Sequence, residues 1–131
     1  MSLIKENRGD QFAYATVPAE ATAGNADEWP VFRVPYNATI TDVKWVPAAA
    51  VTGVVTNNFA LALNDLTAAA AVTTTKTYAN GTNSVANTAE TFTLTAAVNV
   101  AAGDVLTLKR TVNGTGLASP AGMVQITYRW R

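Results

Sequence analysis

The sequence contains neither cysteine nor histidine among its 131 residues. Without cysteine, the chain can form no disulfide and no thiolate metal site. Without histidine, it lacks the commonest acid–base group and the commonest metal ligand. We therefore expect no bound metal and no cofactor, and any nucleophilic mechanism would need a base other than histidine.

Charge is also scarce. Nine basic and nine acidic residues give a net charge of zero, and charged residues make up 14% of the chain, against roughly 25% in typical globular domains. A nucleic-acid-binding domain is expected to carry a basic patch, and none is visible here. We expect no nucleic-acid partner.

Long hydrophobic runs are missing as well. The longest mostly apolar stretch, residues 46–55, is ten residues long, whereas a membrane-spanning helix needs about 20. Residues 1–8 lack the apolar centre of a secretory signal. These features predict a soluble protein that is made in the cytoplasm and has no membrane partner.

The residues that could carry chemistry are scattered. Asp27 and Glu28 are the only adjacent carboxylates, and neighbours in an extended chain point to opposite sides. A pair of carboxylates that work as acid and base must instead converge across a cleft. The three serines, Ser2, Ser84 and Ser119, have no histidine to activate them. The sequence predicts a protein that is not an enzyme.

Three short motifs also favour structural interpretations. Gly114-Thr115-Gly116 lacks the lysine and the helix of a phosphate-binding loop. Arg8-Gly9-Asp10 spells an adhesion tripeptide, but three residues often match by chance. The formal glycosylation sequons begin at Asn37, Asn80 and Asn113, and without a secretion signal they are better interpreted as turn asparagines.

Alanine and threonine are abundant where charged residues are few, with 25 and 20 residues respectively. A surface built from these small, uncharged residues is poorly protected against association. It suits a protein whose faces are covered by a partner or by copies of itself.

Alternation of apolar and polar residues predicts about eight short strands and no convincing helix. Such spacing favours an all-β, antiparallel β-sandwich, with a jelly roll as the preferred topology. The alternation slips at Thr41–Asp42, which indicates a β-bulge. We expect the last two strands to form a closing hairpin around a long, glycine-rich loop. The predicted strands cover residues 12–17, 29–35, 38–46, 59–63, 73–78, 90–95, 105–112 and 124–130.

The length fits one domain. Residues 1–10 carry charge and lack periodicity, so we expect a flexible, extended N-terminal arm followed by a single β-sandwich domain over residues 11–131. The arm is a candidate latch that becomes ordered on a partner or on a neighbouring copy.

Binding is the remaining class of function. Exposed aromatic side chains could form a sugar-binding platform, and the candidates are Tyr14, Trp29, Tyr36, Trp45 and Tyr78. For Trp45 and Trp130 we favour the core, because their strands supply an apolar face. Trp29 is the best candidate for an exposed anchor. Trp and Arg are enriched among residues that dominate interfaces, and the predicted partner-binding set is Lys5, Arg8, Trp29, Arg33, Arg129 and Arg131.

Several segments in order resemble a set found in tailed-bacteriophage virion proteins. They cover residues 34–47, 51–58, 61–64, 101–106 and 114–122. The set is similar to small head-decoration (cement) proteins and related head-fibre modules, and it does not reach residues 1–33.

This resemblance implies a β-sandwich that binds the outside of an assembled phage head, often as a trimer. It also implies the major capsid protein as partner and the virion as location. The alternatives are a carbohydrate-binding module and a structural module of a head fibre or tail.

Overall fold

The computed structural model describes residues 9–131 and has no helix in that range. The predicted arm, residues 1–10, lies almost wholly outside the described residues, and the assignment of residues 11–131 to one domain stays a prediction. The strands are β1 (Gln11–Val17), β2 (Asp27–Arg33), β3 (Ala38–Pro47), β4 (Asn58–Asp65), β5 (Ala70–Ala71), β6 (Lys76–Thr77), β7 (Glu90–Thr91), β8 (Asn99–Val100), β9 (Val105–Asn113) and β10 (Gly122–Trp130).

These strands form two antiparallel sheets. In sheet 1 the order is β1-β10-β3-β7, and β8 also pairs with β3. In sheet 2 the order is β2-β9-β4-β5, and β6 also pairs with β4. The predicted all-β sandwich is therefore confirmed. The strands β1 to β4 alternate between the two sheets, whereas the long strands β4 and β9 are neighbours in sheet 2. The jelly-roll topology stays a prediction.

The last two strands are arranged differently from our expectation. We expected β9 and β10 to form a closing hairpin, but β9 lies in sheet 2 and β10 in sheet 1. The glycine-rich loop between them crosses from one sheet to the other. In it Gly116 has φ +80°, and its backbone passes so close to Ala23 O that any Cβ would overlap that atom. Alternation alone cannot distinguish the two arrangements, because both bury one face of each strand.

The predicted β-bulge in β3 is confirmed. In the β10–β3 ladder Thr127 is opposite Asp42, whereas Tyr128 is opposite Ile40, so Thr41 is the extra residue. Its hydroxyl donates to Thr127 O at 3.3 Å. The bulge restores the inward direction of Ile40, which would otherwise point to solvent.

Both sheets contribute to one hydrophobic core. Trp45 is 2% exposed, and its ring lies so close to Gly122 that a Cβ there would overlap it. The expectation that Trp45 belongs to the core is confirmed, and Trp130 packs against the core while half-buried. In β4 both faces are buried over Asn58–Leu63 rather than one. Phe59, Leu61 and Leu63 belong to the core, and Ala60 and Ala62 on the other face are small side chains on a strand that lies between β9 and the short strands β5 and β6.

The middle of the chain contains less strand than expected. Residues 73–78 and 90–95 were each predicted as a strand, but only Lys76–Thr77 and Glu90–Thr91 are strands. Thr73 and Leu94 meet through an isolated bridge. β7 pairs with β3 over two residues, and β6 pairs with β4 over two residues. The sandwich therefore has long, regular strands on one side and short strands on the other.

Candidate partner-binding surface

Two exposed aromatic side chains lie next to each other on β1. Phe12 is 51% and Tyr14 60% exposed, and their ring centroids are 6.4 Å apart in a stacked arrangement. They share the outer face of β1 because they are two residues apart. We call this pair the β1 aromatic pair. Its apolar area is available to a partner without any rearrangement of the core.

The β1 aromatic pair borders a face whose charges are already paired. Across the β1–β10 ladder, Phe12 lies opposite Thr127 and Tyr14 opposite Gln125. At one end of this face the Arg129 Nε donates to Asp10 Oδ1 at 2.6 Å. Exposed pairs of this kind contribute little to stability. The Arg129–Asp10 pair cancels its own charge, so this end of the face carries no net charge from the residues that the structure describes.

The predicted partner-binding residues do not converge. Lys5 and Arg8 lie outside the described residues. Arg33 and Arg129 are exposed at the ends of β2 and β10. Arg131 is exposed, but its guanidinium donates to Ala38 O at 3.2 Å and to Val100 O at 3.1 Å. It therefore ties the C-terminal end of β10 to its neighbours.

Trp29 is placed differently from our expectation of an exposed anchor. It is half-buried and packs against the core. The physical reason is its position in β2, where the inward-facing residues of the strand lie over the opposite sheet. It can still contribute an exposed edge to an interface, but it is not a free side chain.

The proposed sugar platform is divided between core and surface. Trp45 and Tyr78 are 2% and 0% exposed. Tyr14 stacks on Phe12, whereas Tyr36 makes an edge contact with the Trp130 ring at 5.4 Å. The two exposed tyrosines thus belong to two separate clusters. The sequence interpretation missed Phe12, because alternation shows that it shares a face with Tyr14 without showing which face meets solvent.

A second feature that the sequence did not reveal is a buried arginine. Arg110 is 0% exposed, and its guanidinium donates to Asn25 O at 3.0 Å, Ala23 O at 2.9 Å and Leu117 O at 2.8 Å. It also lies 4.8 Å from the Phe59 ring centroid. Burial lowers the pKa of Arg110. One side chain therefore holds the two loops that close this end of the sandwich.

Two acids accompany Arg110 in these loops. A hydrogen bond between Glu20 and Asp27 lowers the pKa of Glu20 and raises the pKa of Asp27. The positive charge of Arg110 attracts the carboxyl groups of both Glu20 and Asp27. The acids balance the buried cation, which explains how an arginine can lie inside the protein.

Another carboxyl pair closes the opposite end of the sandwich. Asp65 ends β4 and Asp104 precedes β9, and they are 3% and 8% exposed. Burial, followed by a hydrogen bond with Asp104, raises the pKa of Asp65 to about 6. That hydrogen bond lowers the pKa of Asp104. The two groups share one proton at mildly acidic pH.

Glu90 is the centre of a third polar cluster. It accepts hydrogen bonds from the hydroxyls of Tyr78 and Ser84, each at 2.9 Å, and Lys76 Nζ lies 3.4 Å from it. Burial raises the pKa of Tyr78. Because Ser84 is 5% exposed and donates its proton to a carboxylate, the cluster fixes the 79–89 loop rather than presenting a nucleophile.

Within residues 9–131, no helix is long and apolar enough to cross a membrane. In the same part of the chain, no three His, Cys, Asp or Glu side chains come together as a potential metal site.

The chain matches no protein-family model and no curated protein. It is similar in fold to a chain in a solved structure described as the Cyanophage Pam1 capsid asymmetric unit. The TM-score is 0.57 at 16% sequence identity, and the match covers 95% of this chain and 86% of that one. At this identity the similarity concerns the fold.

Proposed function

We propose that this protein is a non-enzymatic structural protein of a phage virion, which binds the outer surface of the assembled head and stabilises it. The supporting observation is the β1 aromatic pair, a ready-made apolar contact on a rigid sandwich. The fold is similar to that of a chain from a cyanophage capsid, and several segments spread through residues 34–122 resemble head-decoration proteins.

The mechanism requires no chemistry. A protein that binds the assembled shell, but not its separated subunits, stabilises the shell by mass action. The partner is the major capsid protein, and the location is the head surface. The contact relies on shape and apolar area, because the net charge is zero and gives little long-range steering.

Self-association belongs to the same proposal. We propose a homo-oligomer, with a trimer as the favoured form, on the basis of the resemblance alone. The N-terminal arm, residues 1–10, would supply a second contact to the shell. Deletion of residues 1–8 should then weaken head binding and leave thermal unfolding of the sandwich unchanged.

A carbohydrate-binding or head-fibre/tail structural module is the second candidate function. Tyr36 favours it, since its ring is 50% exposed and is held in place by the Trp130 ring, as a sugar-stacking residue would be. Glycan-array binding that is lost in Tyr36→Ala would support this alternative.

The test of the main proposal is co-sedimentation of the purified protein with matching expanded heads that lack it. Saturable binding at a fixed ratio to the major capsid protein is the expected result. Absence of binding to both unexpanded and expanded heads would contradict it.

A further inference from the structure

Two asparagines in the chain are each followed by glycine, in the pairs Asn80-Gly81 and Asn113-Gly114. Asparagine is a chemically labile residue. In such a pair the backbone nitrogen of the glycine can attack the side-chain amide carbon of the asparagine, because the glycine has no Cβ to hinder the approach. The structure gives the two pairs different surroundings, so their reactivity should differ.

Asn80-Gly81 is the exposed tip of a β-turn. Thr82 N donates to Ala79 O at 2.9 Å, and Gly81 has φ +88°, as in a type II turn. Within residues 9–131, neither the Asn80 side chain nor Gly81 N has a hydrogen-bond partner, and a Cβ built on Gly81 would meet no atom within 4 Å. The amide carbon of Asn80 can therefore reach Gly81 N without the loss of a hydrogen bond.

Asn113-Gly114 is held by the start of β4. Asn113 Nδ2 donates to Asn58 Oδ1 at 2.7 Å, and Asn58 is 3% exposed. The same two residues are partners in the β4–β9 ladder. A Cβ on Gly114 would overlap Asn57 Oδ1, so the backbone there has little room to move. Attack on the Asn113 amide would break the hydrogen bond to Asn58 and shift Gly114 in a crowded position.

We infer that Asn80 is a site of spontaneous deamidation in the folded protein, and that the fold protects Asn113. Gly81 N forms a bond with Asn80 Cγ, the bond from Cγ to Nδ2 breaks, and the proton of Gly81 N leaves with the side-chain nitrogen as ammonia. The resulting succinimide ring then takes up one water molecule, which opens it to aspartate or to isoaspartate. The reaction needs only water, and it does not depend on the proposed function.

The modification changes the turn in two ways. Either product adds one carboxylate to a chain whose net charge is zero, so modified molecules should separate from the parent on an anion exchanger. Isoaspartate also adds one carbon to the main chain between Ala79 and Thr82. The backbone oxygens of these two residues lie so close to Gly53 that a Cβ there would overlap both. The isoaspartate form should therefore loosen the contact between this turn and Gly53.

Mass spectrometry of the aged protein tests the inference. The full-length, folded protein would be incubated at mildly alkaline pH in ¹⁸O-labelled water and then digested, beside a sample kept unfolded in urea. In the folded sample the Asn80 peptide should gain a carboxylate that contains ¹⁸O, while the Asn113 peptide stays unmodified. In urea both peptides should deamidate, because the contacts of Asn113-Gly114 with Asn57 and Asn58 are lost.

Gly81→Ala is the matched variant, because its Cβ meets no neighbouring atom but hinders the attacking nitrogen. Its Asn80 peptide should stay unmodified over the time in which half of the wild-type molecules react. An Asn80 that stays intact in the folded wild type would overturn the inference, and so would deamidation of Asn113 at an equal or higher rate. If Asn113 stays intact in urea as well, its stability does not come from the fold, and the protective role of Asn58 is refuted.

Discussion

The ring of Phe12 stacks on the ring of Tyr14, 6.4 Å away, on the solvent side of a strand whose other face helps to close the core. Both side chains remain more than half exposed, so they contribute little buried area to folding. The proposed contact surface is therefore separate from the core, so its effects on head binding and on stability can be tested apart.

The β1 aromatic pair should matter for head binding and little for folding. The double variant Phe12→Ser/Tyr14→Ser should weaken binding at least about tenfold, as expected for aromatic anchors. Its free energy of unfolding should change by less than about 1 kcal/mol, as for exposed positions. Co-sedimentation and urea unfolding measure the two effects.

Tyr36→Ser is the matched control for that variant. Tyr36 is also a half-exposed aromatic residue, but it lies at an end of the sandwich. Its substitution should leave head binding unchanged. A loss of binding as large as in the double variant would place the contact elsewhere.

Arg110 should be a major contributor to stability. Arg110→Ala removes the donors to Ala23 O, Asn25 O and Leu117 O and leaves these carbonyls without their partner. Since an unsatisfied buried polar group costs about 1–3 kcal/mol, we expect a loss of about 3–5 kcal/mol in urea unfolding. Arg129→Ala removes an exposed ion pair and should cost less than about 1 kcal/mol. Similar losses in the two variants would refute the role of Arg110.

The Asp65–Asp104 pair should make the protein more stable at pH 5 than at pH 7. The pKa of Asp65 is raised to about 6 in the folded protein, against about 3.9 in an unfolded chain. Between these values the folded state binds more protons, so stability falls as pH rises through the window. The pKa of Asp104 is lowered in the folded protein. Protonation of Asp104 therefore reduces the stability of the protein, but only at a lower pH.

Thermal or urea unfolding across pH 4–8 measures this effect, which we expect to amount to roughly 1–3 kcal/mol. Asp65→Asn can donate to Asp104 without a titrating proton, so it should flatten the curve between pH 5 and 7. A wild-type stability that rises with pH over this interval would contradict the shared proton.

A comparison of Gly116 with Gly81 separates the cost of a positive φ from the cost of a steric overlap. Both have positive φ, +80° and +88°, but a Cβ at Gly116 would overlap Ala23 O, whereas a Cβ at Gly81 would meet nothing within 4 Å. Gly81→Ala should cost about 1–2 kcal/mol from the backbone conformation alone. Gly116→Ala should cost clearly more. Equal costs would mean that the loop between β9 and β10 moves freely away from Ala23.

Much of the fold could be predicted from local pattern. Alternation located the six long strands, and the slip at Thr41 located a bulge, because both depend on which side of one strand a residue faces. The pairing of β10 with β1 and β3 could not be predicted, since it depends on contacts between distant parts of the chain. The closing hairpin was wrong for this reason.

The candidate surface was only partly predictable. Tyr14 was considered as a platform residue, but Phe12 was missed and Trp29 was expected to be more exposed than it is. Alternation puts Arg110 on the same face of β9 as Leu106 and Leu108, but an arginine is rarely fully buried unless it is paired. Its burial depends on the carbonyls of two loops that are distant in sequence, and periodicity within one strand contains no information about them.

If this protein stabilises an assembled head, as we propose, calorimetry of heads should show it. Expanded heads that lack the protein would be melted alone and with a saturating amount of it. We predict a higher melting temperature for the decorated heads that rises further with the concentration of free protein, and a smaller rise for Phe12→Ser/Tyr14→Ser at the same concentration. An unchanged melting temperature, at a concentration where the protein demonstrably binds, would show that it does not stabilise the head.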